Sequence, residues 1–245
     1  DYAEEAYQKV VSEFEDFASK LEVPDIRFVP ISALHGDNVV NRSENMTWYH
    51  GETLLHTLET IHISSDLDHV NVRFPVQTVI RPHSDEYHDY RGYAGRIAGG
   101  IMKPGDEVVV LPSGFNSQIK SIDTFEGPVE EAFAPMSVTI TLEDDIDVSR
   151  GDMIVRPNNQ PQVTQDIDVM LCWLNNKGPQ PRAKYLVQHT TNEARCMIKE
   201  ILYKVDINSL HRIEGDKEIS MNDIVRVRLR TTNPFFVDEY AENRH

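Results

Sequence analysis

Apolar residues near the start of the chain recur at steps of three and four, with glutamates and lysines between them. This spacing places the apolar side chains on one face, so it predicts an amphipathic α-helix. We expect the helix to end before Pro24, and Asp1 can serve as its cap. The apolar positions are Ala3, Tyr7, Val10, Phe14, Phe17 and Leu21.

Two further patterns follow before residue 62. The stretch "DIRFVPISAL" (residues 25–34) carries Ile26, Phe28 and Ile31 and predicts a short buried strand. The stretch "GETLLHTLETI" (residues 51–61) returns to helical spacing. Helix, strand, loop and helix in this order are typical of a parallel α/β sheet, which we expect here.

From about residue 64 the pattern changes to short β-branched runs separated by turn residues, after a polar linker, "SSDLDH". Evenly spaced strands without helices between them indicate a closed β-barrel or a sandwich. In "MKPGDE", Pro104 presets φ and Gly105 supplies the positive φ of a type II turn. The predicted strands are "FPVQTVI", "YAGRIAGG", "DEVVVLP", "SQIKSIDTF", "SVTITL" and "DMIVRP".

A second break, "RPNNQPQVTQ" (residues 156–165), is rich in Pro and Asn and is predicted to be a loop. The strands that resume after it indicate a second β domain. This domain is expected to be unfinished, because "FFVDEYAENRH" ends on a charged stretch with no closing strand. Its predicted strands are "DIDVMLCWL", "AKYLVQHTT", "ARCMIKEILYKVD" and "DIVRVRLRTT".

Length and charge narrow the possible functions. The 245 residues, 40% of them hydrophobic, suffice for one to three domains. The formal charge of −16 would repel a phosphate backbone, so nucleic acid is not expected as a general partner. Arg226, Arg228 and Arg230 alternate along a predicted strand, and we interpret them as a solvated sheet face rather than a basic patch.

The cysteines and the hydropathy pattern favour the cytoplasm. Cys172 and Cys196 have no CxxC spacing, so they suggest neither a zinc site nor a disulfide framework, and we expect small core residues in a reducing compartment. No stretch approaches the roughly 18 apolar residues that cross a bilayer, so no membrane association is expected. The chain begins where a helix begins, so a cut product is as good an explanation as a natural start.

Phosphate-binding motifs are missing from these residues. "GIMKPGD" (residues 100–106) has two glycines at P-loop spacing, but Asp106 and Glu107 stand where Lys and Ser or Thr belong. "DYRG" (residues 89–92) matches a DxxG pattern but leads into a predicted barrel strand, and no NKxD element is present. We therefore expect no phosphate site within this segment.

Metal binding and catalysis have little support. His83 and His88 flank three acidic residues and could chelate a divalent ion, but a solvated loop is the simpler interpretation. His189 is predicted to be a hydrogen-bonded sheet residue. No Gly-x-Ser-x-Gly elbow or triad spacing is found, so no catalytic residue is predicted.

The stretch "RGYAGRIAGGIMKPGDEVVVLPSG", preceded by "FPVQTVIRP", resembles the second domain of elongation factor Tu-like GTPases. Four stretches resemble more narrowly the large, GTPase-bearing subunit of bacterial sulfate adenylyltransferase (ATP sulfurylase). They are "NMTWYHGETLLHTLE", "RGYAGRIAGG", "EAFAPMSVTITLEDDIDVSRGD" and "KYLVQHTTNEARCMIKEILYKVDINSL". Where the family often has Pro, Thr47 stands in this chain.

The resemblance implies a mainly β fold, in which a C-terminal α/β remnant of a P-loop GTPase domain precedes two translation-factor-like β-barrels. Residues 1–62 would be the tail of the GTPase domain, starting just past its Asn-Lys-x-Asp element. Residues 63–158 would be the first barrel, and residues 159–245 a truncated second barrel.

On the same resemblance, "ISAL" is the guanine-binding motif of the GTPase domain. Ser32 would shape the loop, and the backbone amide of Ala33 would point at the guanine O6. Leu34 completes the triplet, where many relatives carry a Lys over the base.

The family's activity supplies the remaining expectations. A separate small subunit transfers the adenylyl group of ATP to sulfate, and GTP hydrolysis by the large subunit, with Mg²⁺, drives this uphill step. The barrels would then transmit the nucleotide state and dock the small subunit. An RNA-delivering module of the translation-factor type and a fused downstream adenylylsulfate kinase domain stay open as alternatives.

This segment alone is expected to be inactive and to bind no GTP. One hydrogen bond from an amide to O6 contributes roughly 1 kcal/mol, whereas association costs on the order of 4 kcal/mol or more.

Overall fold

The computed structural model describes residues 2–21, 23, 25–61, 68–82, 90–240 and 243. These residues form two compact units, the first reaching residue 61 and the second starting at residue 68. Most of the predicted linker at 64–69, and the loop with His83 and His88, lie outside the described residues. Neither helix is long and apolar enough to cross a membrane.

The first unit contains both predicted helices, α1 (Glu4–Ala18) and α2 (Leu54–Thr60). The N-cap residue of α1 is Ala3, whose side chain accepts no hydrogen bond, and Glu4 and Glu5 lie in the first turn, where acidic side chains interact favourably with the helix dipole. The N-cap of α2 is Thr53, whose side chain accepts a hydrogen bond from the amide of His56. The two helical patterns in the sequence are therefore confirmed.

The buried strand predicted at residues 25–34 is wrong for the described residues. No strand is formed there, and Ile26 and Ile31 are 37% and 45% exposed. A strand requires neighbours for its backbone groups, and the part of the first unit that the structure describes contains no strand ladder. Instead, the Phe28 carbonyl accepts a hydrogen bond of 3.0 Å from the Tyr7 hydroxyl on α1.

The second unit begins with a closed antiparallel barrel. Among its described residues, six strands form a ring in the order β4-β9-β1-β2-β8-β5, and β5 pairs back with β4. The ring confirms the barrel expected from the strand spacing. Strand β6 pairs with β5, and β3 pairs with β7. The strands are β1 (Phe74–Ile80), β2 (Gly92–Arg96), β3 (Ile101–Met102), β4 (Glu107–Leu111), β5 (Phe115–Thr124), β6 (Gly127–Pro128), β7 (Ala132–Phe133), β8 (Ser137–Leu142) and β9 (Met153–Val155).

Alternation along the strands builds the barrel core. In β8, Val138, Ile140 and Leu142 are buried, while the intervening Thr139 and Thr141 lie on the opposite face of the strand and are half-buried. The largest buried side chain is that of Tyr93, whose hydroxyl donates a hydrogen bond of 2.9 Å to the Ile146 carbonyl. A buried tyrosine hydroxyl without such an acceptor would be costly.

The Pro-Gly-Asp turn before β4 forms as predicted. Gly105 has φ of +89°, and the Asp106 amide donates to the Lys103 carbonyl at 3.1 Å. The Asp106 carboxylate accepts a second hydrogen bond from the Lys103 amide at 3.0 Å. The acidic residue that stands at the P-loop Lys position therefore closes this turn.

A second antiparallel sheet follows the barrel in the same unit. Its order is β10-β14-β12-β11, with β13 paired to β12. Val225, Val227 and Leu229 of β14 form its buried core together with Cys196 and Ile219. The strands are β10 (Gln162–Cys172), β11 (Tyr185–His189), β12 (Asn192–Val205), β13 (Arg212–Ile213) and β14 (Ile224–Val237).

Three details of this sheet differ from the predictions. Strand β10 begins at Gln162, inside the predicted loop of residues 156–165, and β14 continues to Val237, where no strand was expected. These two extensions pair with each other in register. Cys172 is exposed and not a core residue, because it lies on β10 in the same outward phase as Met170, whereas Cys196 is buried as predicted.

The barrel and the second sheet meet at an apolar cluster and a buried ion pair. Phe236 of β14 packs with four barrel residues, and the Arg73 guanidinium binds both carboxylate oxygens of Asp238 at 2.8 Å. Arg73 is only 4% exposed, and its remaining hydrogen bonds go to the carbonyl of Val72 and to Asn159. The four barrel residues are Val109, Leu111, Met153 and Val155.

Candidate functional site

The loop that contains Ser32, Ala33 and Leu34 is held by hydrogen bonds at both ends. The Ser32 amide donates to the Asp37 carbonyl at 3.1 Å, and the Gly36 amide donates to the Ser32 carbonyl at 2.7 Å. The Ser32 hydroxyl accepts a weaker bond of 3.4 Å from the His35 amide. The triplet therefore lies in a tight turn, with Gly36 at φ +78° where glycine is favoured.

Asn38 anchors this loop to the rest of the first unit. It is 2% exposed with φ of +55°, and its side chain donates to the Pro30 carbonyl and accepts from the Ser43 amide. Its own carbonyl accepts from the Leu54 amide, one of the first-turn amides of α2 that lack an intrahelical acceptor. The residue was missed in the sequence, although "GDN" is a turn signal and Asn adopts positive φ readily.

The Asp37 carboxylate adds a second set of contacts. It accepts hydrogen bonds from the Ser43 hydroxyl at 2.5 Å and from the Tyr2 hydroxyl at 3.0 Å. The hydrogen bond from Ser43 holds the pKa of Asp37 below its usual value, and the one from Tyr2 acts in the same direction. The carboxylate is therefore an ionised structural acceptor at neutral pH.

The turn leaves the amides of Ala33 and Leu34 without a hydrogen-bond acceptor among the described residues. The Ala33 amide makes no hydrogen bond within the described part of the chain, and Ala33 is exposed. Leu34 beside it is 89% exposed, an unusual position for a leucine. Ser32, Leu34 and His35 line a cleft of about 850 Å³ together with residues of α1, Pro30 and Trp48.

The other predicted sites do not gain support. Within the described ranges, no cluster of three or more His, Cys, Asp or Glu residues could hold a metal ion. Gly92 begins strand β2, so the "DYRG" match lies at a barrel strand. His189 ends β11 with its ring centroid 6.2 Å from that of Phe235, and burial lowers its pKa.

The three alternating arginines lie on the solvent face of β14, as interpreted from the sequence. Arg228 forms ion pairs with Asp168 at 2.8 Å and with Glu200 at 3.3 Å. Arg230 forms an ion pair with Asp166, and Asp166 forms a second ion pair with Lys199 at 3.7 Å. Because acids on β10 and β12 neutralise two of the three arginines, this face is not a phosphate-binding stripe.

Comparison with known proteins identifies relatives over the whole chain. The "Bifunctional enzyme CysN/CysC" of Mycobacterium tuberculosis is 48% identical over 241 residues, which cover 98% of this chain and 39% of that protein. The "Sulfate adenylyltransferase subunit 1" of Bacteroides fragilis is 44% identical over 244 residues, 100% of this chain and 50% of that protein. The chain is a homologue of sulfate adenylyltransferase subunit 1. The chain spans 50% of the length of the Bacteroides fragilis relative and 39% of the longer bifunctional protein.

Two further comparisons describe the fold of this subunit 1 homologue. Residues 166–245 match the GTP-eEF1A C-terminal domain-like family. The crystal structure of sup35 complexed with GDP superimposes with a TM-score of 0.65 at 18% identity, covering 99% of this chain and 60% of that one. The mainly β fold is therefore translation-factor-like.

Proposed function

We propose that this chain is part of the GTP-hydrolysing large subunit of sulfate adenylyltransferase. In the intact enzyme, GTP hydrolysis would be coupled to formation of adenosine 5'-phosphosulfate and pyrophosphate from ATP and sulfate. The observation that carries the proposal is homology to subunit 1 along the entire chain, at 44% identity over 244 residues in the Bacteroides fragilis relative.

The proposal assigns a role to each part of the chain. Residues 1–62 are the tail of the GTPase domain, residues 63–158 are the first barrel, and residues 159–245 belong to the second. GTP and Mg²⁺ bind to the intact subunit, and the small adenylyltransferase subunit uses ATP. Catalysis by the small subunit requires no catalytic residue from this segment. We place the protein in the cytoplasm.

Within the tail, Ser32, Ala33 and Leu34 form the guanine loop. The free amide of Ala33 supports this assignment, because a donor held in a tight turn with no protein acceptor is suited to the O6 carbonyl of a base. Asn38 and Asp37 would act as positioning residues that keep this amide in place.

An Ala33→Pro substitution in the intact protein tests the loop. Proline removes the N–H, and the extended Ser32 before it tolerates a following proline. We expect GTP to bind about fivefold or more weakly, since one hydrogen bond is lost, as measured by calorimetry. Leu34→Ala, which keeps the backbone amide, is the matched control and should stay within about twofold. Equal affinities of the two variants would show that the loop does not contact the base.

The subunit assignment has its own test. Purified intact protein should form a stoichiometric complex with the small subunit, and the complex should hydrolyse GTP while it makes adenosine 5'-phosphosulfate. If size-exclusion chromatography at micromolar concentrations of both proteins shows no complex, the proposed function is wrong.

The fused form with an adenylylsulfate kinase domain is the second candidate. The Mycobacterium tuberculosis relative carries the name "Bifunctional enzyme CysN/CysC", and this chain spans 39% of it. Sequencing the gene past the codon for His245 decides between the two forms. An RNA-delivering module is disfavoured by the charge of −16 and by the acid-paired arginines of β14.

A further inference from the structure

The outward face of the second sheet carries a ladder of three cross-strand positions along β14. On β10, Asp166 stands opposite Arg230 and Asp168 opposite Arg228. The third arginine, Arg226, stands opposite Met170 instead of an acid. On the other side of β14, its neighbour on β12 is Tyr203.

At two of these positions the arginine is paired with a carboxylate. Arg228 binds both carboxylate oxygens of Asp168, at 2.8 and 3.2 Å, and the hydrogen bond holds the pKa of Asp168 below its usual value. Asp166 is shared by Arg230 and Lys199. The charges of these two arginines are therefore already matched by carboxylates.

The third position carries two cations and no acid. Arg226 donates to the Tyr203 hydroxyl at 3.4 Å, and the guanidinium carbon of Arg212 lies 4.7 Å from the centroid of the same ring. Among the residues that the structure describes, no carboxylate lies within ion-pair distance of Arg212 or Arg226. The ring attracts both guanidiniums, and the carboxylate whose charge acts on Arg226, that of Asp168, is already bound by Arg228, so neither Arg212 nor Arg226 has an ion-pair partner of its own among the described residues.

An exposed apolar side chain completes this position. Met170 is 49% exposed and lies directly across from Arg226. Tyrosine, arginine and methionine are among the residues enriched at protein interfaces, and tyrosine and arginine are also frequent energetic hot spots. Met170, Tyr203, Arg212 and Arg226 are called the open rung below.

We propose that the open rung is a docking surface for an acidic segment of the small adenylyltransferase subunit. A carboxylate of that segment pairs with Arg226 and Arg212, and a neighbouring apolar side chain packs on Met170. The identity of the partner rests on the proposed function, while the chemistry of the surface rests on the sheet register alone.

Local charge favours an acidic protein segment over other occupants. At physiological ionic strength charges are screened beyond about 8 Å, so a docked segment interacts with the two unpaired arginines more than with the net charge of −16. A nucleic acid would need phosphate contacts along the ladder, and there Asp166, Asp168 and Glu200 already occupy the arginines. A free oxyanion would leave Met170 uncovered.

The experiment measures the affinity of the intact large subunit for the small subunit. We expect Arg226→Gln and Arg212→Gln each to weaken binding about tenfold or more, as for loss of a hydrogen-bonded charge pair at an interface. Arg230→Gln is the matched control, because it removes the same charge from the same face while Asp166 keeps Lys199 as its partner. Its affinity should stay within about twofold of the unsubstituted protein.

A Met170→Glu variant separates docking from folding. It places an acid opposite Arg226, as at the other two positions, so thermal stability should be maintained. Binding of the small subunit should nevertheless fall about tenfold or more, because the carboxylate within the chain then occupies Arg226.

The outcomes distinguish this inference from the proposed function. If the complex forms and Arg226→Gln and Arg230→Gln bind equally well, the docking surface is wrong and the subunit assignment stands. If Arg226→Gln weakens tRNA binding and leaves the small subunit unaffected, the surface serves RNA and the inference is overturned. If the unsubstituted proteins form no complex, both are overturned.

Discussion

At the scale of single residues, His189 couples folding to pH. Its ring lies near Phe235, and burial is the main cause of its lowered pKa, partly offset by the charge of Asp238. The folded state therefore holds this imidazole neutral at pH values where the unfolded chain, with an ordinary pKa near 6.5, already binds a proton.

The sign of the effect follows from this difference. The contribution of His189 to stability is fully present above about pH 6.5 and is lost as the pH falls towards the lower pKa of the folded state. We expect His189→Gln to flatten the dependence of the unfolding free energy on pH below about pH 6.5. Urea denaturation at a series of pH values measures the unfolding free energy. If it depends on pH in the same way in His189→Gln as in the unsubstituted protein, the prediction is wrong.

The candidate loop was predicted from the sequence, but the contacts that hold it in place were not. The triplet Ser32, Ala33 and Leu34 could be singled out from the family resemblance, because the motif consists of consecutive residues. The anchoring by Asn38 and by the Asp37–Ser43 hydrogen bond could not be found, since both depend on contacts that only the folded chain brings together.

At the scale of elements, the turn before β4 depends on one glycine. Gly105 has φ of +89°, and a Cβ added there would meet no atom within 4 Å. A substitution therefore tests backbone conformation without steric overlap. Gly105→Ala should reduce the unfolding free energy by about 1 kcal/mol, because side-chain-bearing residues disfavour positive φ.

Asparagine provides the control at this turn. It adopts positive φ more readily than alanine, so Gly105→Asn should cost less than Gly105→Ala. Denaturant unfolding of both variants measures the difference. A loss that is the same in both would mean that the added side chain, and not φ, sets the cost.

Most strands, but not all of their boundaries, could be predicted from the periodicity of the sequence. Every barrel strand proposed from a β-branched run is present, because alternation and turn residues are local signals. The strand at residues 25–34 failed because pairing needs partners from elsewhere. The end of β14 was missed; Pro234 is tolerated there because residues 231–234 of β14 bulge opposite the single residue Gln165 of β10, where a ladder amide is dispensable.

At the scale of the second unit, the Arg73–Asp238 pair joins the barrel to the second sheet. Asp238→Asn would leave a 4%-exposed guanidinium with only neutral acceptors. Removing one partner of a buried ion pair costs roughly 3 kcal/mol, so we expect a loss of this order in denaturant unfolding.

A double variant tests whether the charge pair itself supplies stability. Arg73→Met with Asp238→Leu removes both charges and should recover much of the loss, because apolar replacements of a buried pair are often neutral. A cost below about 1 kcal/mol for Asp238→Asn would show that Asn159 and Val72 suffice for the guanidinium.

The closed ring of the barrel limits how this unit can change shape. Each of its six strands has a neighbour on both sides, so sliding one strand would break two ladders and turn core residues such as Ile140 towards water. Closure therefore disfavours a signal that is carried by strands sliding within the barrel. We expect a displacement imposed at one end to reach the other by movement of the whole barrel as one piece.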